Sequence, residues 1–99
     1  MNIVAQTILE QLGSHRFIAM TGAKDFVGGY NCLHFKLPSN FAKHKITVVK
    51  ITLTDADLYD VEFGKIRRGC YQPVESHEGL FFDQLQEVFT SVTGLDTHL

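Results

Sequence analysis

A chain of 99 residues is long enough for a single domain, 1–99, with a modest core. Its 44% apolar and 20% charged residues are ordinary for a folded globular protein and exclude a disordered chain. Nine basic against eleven acidic residues leave a net charge of −2, so nothing pulls the whole molecule toward nucleic acid or an anionic membrane, although a local basic patch is compatible with that balance.

The first predicted element is a helix. Ile3, Val4, Ile8, Leu9 and Leu12 recur on one face, with Asn2 placed to cap the start and Gly13 to end it. Arg16 to Thr21 reads as a short strand with two fairly apolar sides. Gly22 to Gly29 reads as a glycine-rich connector whose Phe26 and Val27 plug an edge of the core. Tyr30 to Leu37 is a clearer strand, with Leu33, Phe35 and Leu37 facing one way and Cys32, His34 and Lys36 the other. Pro38 ends it, and Ser39 to Lys43 forms an irregular link with room for one helical turn.

The centre of the chain is a strand pair. Thr54-Asp-Ala-Asp57 supplies the turn, and Tyr59, Val61 and Phe63 alternate with Asp60 and Glu62 in the second strand. In the first strand Ile46 and Val48 share one parity while Val49, Ile51 and Leu53 share the other. A bulge near Val48 and Val49, cover on both faces, or a partner chain would reconcile them. After Gly64 the chain turns basic and then bends at Gln72-Pro-Val; Glu75 to Gly79 reads as a polar lead into a last helix from about Leu80 to Thr93. Phe81, Leu85, Val88, Phe89 and Val92 make that helix's buried stripe, and Gly94-Leu95 stops it. The expected architecture is α+β, with a small four-stranded, mainly antiparallel sheet and N- and C-terminal helices in the order α-β-β-β-β-α.

Chemistry-bearing motifs are sparse. The Gly22–Gly29 segment lacks the spacing of a phosphate-binding loop, leaving Lys24, Asp25 and Phe26 as recognition-loop candidates. The five histidines form no H-E-x-x-H. Cys32 and His34 could share a strand face, but with Cys70 they make only three donors, so no metal site and no cofactor is assigned. Ser76-His77-Glu78 is adjacent in sequence, which is poor grounds for a triad, and no catalytic residue is assigned. Asp60 and Glu62 read as part of a solvated sheet face. Lys65, Arg67 and Arg68, with Tyr71 for stacking, are the nucleic-acid-binding candidates, joined in outline by Lys43, Lys45, Lys50 and Tyr30.

Two cysteines without a disulfide framework, no basic leader and no membrane-length apolar run predict a cytoplasmic protein with free thiols. The stretches Met1 to Leu12, Arg16 to Lys24, Leu53 to Gly64 and Val88 to Gly94 resemble a family of small uncharacterised proteins from phages, prophages and bacterial mobile DNA. The resemblance spans most of the chain. It implies an accessory or host-interaction context and brings no catalytic residues with it. The expected function is a non-enzymatic accessory protein acting through protein contacts, with a protein partner or a homo-oligomer. The alternatives are a nucleic-acid-binding module at Lys65–Arg68 and a small enzyme with a histidine/carboxylate cleft.

Overall fold

A computed structural model describes residues 3–38 and 42–95. Helices α1 (Ile3–Leu12) and α2 (Ser14–Thr21) precede five strands, β1 (Lys24–Gly28), β2 (Cys32–Lys36), β3 (Val48–Leu53), β4 (Tyr59–Arg67) and β5 (Cys70–Leu80), and α3 (Leu85–Thr93) closes the order. The strands form one antiparallel meander in the order β1-β2-β3-β4-β5. Consecutive strands are therefore neighbours, as short connections favour.

The expected α-β-β-β-β-α order is thus corrected to five strands and three helices. The segment Arg16–Thr21 is helical because its apolar pattern has the helical period: Phe17 and Thr21, four apart, are both fully buried. The Gly22–Gly29 connector contains β1, and the supposed polar lead Glu75 to Gly79 lies within β5. The last helix starts later than expected, after a single 3-10 turn at Phe82–Gln84. Helix α1 lies where the apolar stripe predicts, with Ile8 and Leu12 buried beside Ala5 and with Val4 and Leu9 packed partly buried against the core, but Ile3 at its start is 81% exposed. The Asn2 cap and most of the 39–43 link lie outside the described residues, and Lys43–Lys45 form a 3-10 turn.

All three helices cover the same face of the sheet. Leu33 and Phe35 on β2, Val49 and Ile51 on β3, and Tyr59, Val61 and Phe63 on β4 share one parity and join Ile8, Leu12, Phe17, Leu85, Phe89 and Val92 in a single core. Phe89 is edge-on to Phe17 at 5.1 Å and lies 6.4 Å from both Phe35 and Phe63, so aromatic contacts tie α3 to α2, β2 and β4. The parity conflict dissolves in this geometry. Ile46 is buried before β3 begins, and Val48 lies half-buried on the opposite, helix-free face. The register of β3 is unbroken against both neighbours, so neither a bulge at Val48 nor a second helix layer is present there.

The irregularities sit on the edges instead. β1 carries an extra residue against β2 around Asp25, whose φ is +55°. β5 carries two, one around Gly79 and one around Val74 beside Pro73. Bulges and charge on both outer strands, with Pro73 on β5 alone, protect a sheet that would otherwise offer two free edges for pairing.

Helices α2 and α3 end with the same device. Thr21 Oγ1 donates to the Phe17 carbonyl at 2.8 Å and accepts the Ala23 N–H at 3.2 Å, with Gly22 left-handed between them. Thr93 Oγ1 donates to the Phe89 carbonyl at 2.7 Å and accepts the Leu95 N–H at 3.2 Å across left-handed Gly94. Each buried threonine thereby satisfies an N–H just beyond its helix.

Candidate functional site

The face left uncovered by helices is polar and ordered in cross-strand rows. His34, Lys50, Glu62 and Ser76 stand opposite one another across β2, β3, β4 and β5; Cys32, Thr52 and Asp60 form the next row, and Lys36, Val48, Gly64 and Pro73 the row on the other side. An open depression of about 220 Å³ lies over Lys50, Asp60, Glu62, Ser76 and Glu78.

The two carboxylates at its floor already have structural duties. Asp60 Oδ1 accepts the Gly79 N–H at 3.0 Å and so pins the β5 bulge. Glu62 accepts the hydroxyl of Tyr71, whose ring covers Gly64 from the same face. Asp60 and Glu62 do share a strand face, as the alternation predicts, but they stitch β4 to β5. Burial, chiefly, and then the charge and hydrogen bond of Glu62 push the Tyr71 phenol above its ordinary value.

The catalytic alternatives find no shared centre. His77 Nε2 lies 2.6 Å from Glu75 Oε2, a partner two residues away on the same strand, rather than pairing with Ser76 or Glu78. Cys32 is buried at one end of β2, while Cys70 is exposed at the start of β5, three strands away and at the other end of the sheet. Among the described residues, no group of three or more His, Cys, Asp or Glu side chains could hold a metal ion.

The nucleic-acid candidates are only partly brought together. Lys65 and Arg67 alternate onto one face of β4, and Arg68 occupies a two-residue turn with Gly69, between the pair Arg67 and Cys70. Both turn residues have positive φ, +54° and +77°, which is the type I′ requirement of a tight hairpin. The chain therefore reverses at Arg68-Gly69 rather than at Gln72-Pro-Val. Tyr71 pairs with Ile66 on the opposite face from Lys65 and Arg67. Tyr30 is 95% exposed but stands in the β1–β2 turn at the far end of the sheet, and Lys50 is in the middle of the open face.

The recognition-loop candidates belong to edge strand β1. Lys24 and Asp25 are exposed, whereas Phe26 is half-buried with its ring 5.3 Å from that of Phe35. Phe26 plugs the core edge as expected; Val27 remains 55% exposed.

Two features were not foreseen in the residue pattern. Phe81, expected within the buried stripe, is 61% exposed, and Phe82 beside it is 58% exposed. The junction holding them is ordered: the Phe81 N–H donates to Gln84 Oε1 at 2.8 Å and the Gln84 N–H returns to the Phe81 carbonyl at 2.9 Å. The second is a charge separation. The ends of the strands that carry Lys24, Lys36, Lys65 and Arg67 are one end of the sheet, and the ends that carry Asp55, Asp57, Asp60 and Glu78 are the other. Two adjacent phenylalanines before a helix, and lysines at alternate strand ends, are the signals that could have shown these.

Among the described residues no helix is long and apolar enough to cross a membrane. Comparison with protein-family models, with curated proteins and with solved structures found no match.

Proposed function

We propose that this chain is a non-enzymatic accessory protein that acts through protein contacts, a second copy of itself being the first partner. The observation that carries this reading is the pair Phe81 and Phe82, both more than half exposed on a junction fixed by reciprocal hydrogen bonds. Large aromatic side chains are the commonest anchors of protein interfaces, and holding them in place beforehand lowers the entropy lost on binding. Phe81 and Phe82 take no part in the core, which this region fills with Leu85, Phe89 and Val92 while Leu80 and Val88 pack against it. The parity of Ile46 and Val48 no longer argues for a partner, so the aromatic pair replaces it as the basis for self-association. The resemblance to small phage and mobile-element proteins gives such contacts an accessory or host-interaction setting.

Light scattering over a wide concentration series tests the reading. The expected result is a concentration-dependent dimer that Phe81→Ser with Phe82→Ser returns to monomer without changing the circular dichroism spectrum. A wild-type chain that stays monomeric at every concentration removes self-association.

A further inference from the structure

The net charge of −2 conceals a polarised molecule. Seven of the nine lysines and arginines gather toward one end of the sheet: Lys24 and Lys36 on paired ends of β1 and β2, Lys43 and Lys45 on the approach to β3, and Lys65, Arg67 and Arg68 on the β4–β5 hairpin. Among the described residues Asp25 is the one carboxylate beside them, and no ion pair engages these cations. Unneutralised like charge held together by the fold is destabilising by itself, and it is relieved by an external polyanion.

The hairpin has a shape as well as a charge. β3 pairs with β4 only as far as Val48 opposite Gly64, whereas β4 and β5 continue through Lys65–Gln72, Ile66–Tyr71 and Arg67–Cys70. A two-stranded ribbon therefore runs on for about 10 Å past β3, at roughly 3.3 Å per residue. Thr47, just before β3, still flanks the ribbon's first two rungs, where the Ile66 N–H donates to Thr47 Oγ1 at 3.3 Å, so the free part is the Arg67–Cys70 rung and the type I′ turn at Arg68-Gly69.

We propose that this basic end binds duplex DNA, with the ribbon entering the major groove and the lysines of β1, β2 and the β3 approach reaching the flanking phosphates. A B-form major groove about 12 Å wide and 8.5 Å deep admits a two-stranded ribbon, whereas that of A-form RNA is too narrow and deep for it. Single strands are recognised by stacking on free aromatic rings. Among the described residues the aromatic ring at this end is Tyr71, which is 41% exposed but laid over Gly64 with its hydroxyl on Glu62, so a single strand would meet one partly covered ring and not a row of them. The contacts are mainly to phosphate, which makes binding salt-sensitive and largely independent of sequence. The acidic end, with Asp55, Asp57 and Asp60, turns away from the duplex and orients the approach. Phe81 follows β5 at that acidic end, so DNA binding stands apart from the self-association reading.

Fluorescence anisotropy with a short labelled DNA duplex of mixed sequence tests the proposal. Binding should weaken steeply between about 50 and 200 mM salt. Arg67→Glu with Arg68→Glu should lower affinity at low salt at least roughly tenfold and reduce the slope of log K against log salt by about two. Lys24→Glu with Lys36→Glu should also weaken binding, which keeps the test decisive should the ribbon variant fail to fold. Asp55→Lys with Asp57→Lys should not weaken it, and Phe81→Ser with Phe82→Ser should leave affinity per chain unchanged. No salt-sensitive binding, unchanged affinity in both charge-reversal variants, or equal or tighter binding to single-stranded DNA, duplex RNA or heparin would overturn the proposal.

Discussion

The ring of Tyr71 occupies the space in which a Cβ on Gly64 would stand. Gly64 has no unusual backbone requirement there; its lack of a side chain is what lets the Tyr71 ring close over β4 and set its hydroxyl on Glu62. Gly64→Ala should therefore expel the ring. An alanine in a strand is ordinarily worth about 0.5–1 kcal/mol over glycine, but the lost cover and hydrogen bond should outweigh that and leave a net destabilisation of about 1 kcal/mol. In a Tyr71→Ala background the same substitution should become stabilising. Urea denaturation of the four variants measures the change of sign, and additive effects would refute the interlock.

Tyr59 gives the fold an alkaline limit. Its side chain is buried on the helix-covered face, and burial first, then the negative charge of Asp57, raises its phenol above 10.0. The unfolded chain releases this proton near pH 10, while the folded chain holds it to higher pH, so above that point the unfolded state binds fewer protons. The contribution is fully present below pH 10 and is lost as the pH rises through the folded-state value. Urea midpoints should fall between about pH 9.5 and 11 in the wild type by more than in Tyr59→Phe. An identical fall in both proteins would show that Tyr59 is not the group responsible.

The interior of the sheet was legible in the residues and its margins were not. In β2 and β4, Leu33, Phe35, Val61 and Phe63 alternate with polar residues because one face is covered and the other is open. The Thr54–Asp57 hairpin follows from the same alternation and its turn chemistry; the Asp57 N–H donates to the Thr54 carbonyl at 3.0 Å. β5 has no such signature. It is an edge strand with no buried residue, interrupted by Pro73 and by two bulges, so each departure from a clean two-residue period is itself an edge-protecting feature. α2 failed for a different reason: in eight residues, the two fully buried positions are Phe17 and the threonine Thr21, which a hydrophobic pattern does not count. At the site level the Lys65–Arg68 run was visible, but its companions Lys24 and Lys36 are brought to the same end only by strand reversal.

The two thiols should react very differently. Cys32 is 8% exposed and packed against the backbone turn at Gly29, where an added Cβ would come within 2.6 Å of its Sγ. Cys70 is exposed at the base of the ribbon turn. Under native conditions iodoacetamide should modify Cys70 alone, and Cys32 should react only on unfolding, because access limits thiol chemistry. Peptide mass mapping at increasing urea gives the order; early modification of Cys32 would mean that the Gly29 turn opens well below the global transition.

The repeated helix ending makes a quantitative comparison available within one molecule. Thr21 and Thr93 make the same pair of hydrogen bonds, but the Ala23 N–H accepted by Thr21 is buried, whereas the Leu95 N–H accepted by Thr93 is only partly so. Valine has nearly the shape of threonine and removes the hydroxyl, so Thr21→Val leaves a buried donor without its acceptor and should cost about 1–3 kcal/mol. Thr93→Val should cost less, since water can reach the released N–H. Thr21→Ser keeps the hydroxyl and loses a methyl group, which should cost about 1 kcal/mol by lost packing alone. Chemical denaturation of the three variants separates the terms. Equal losses in Thr21→Val and Thr93→Val would show that burial of the N–H does not set the strength of this helix ending.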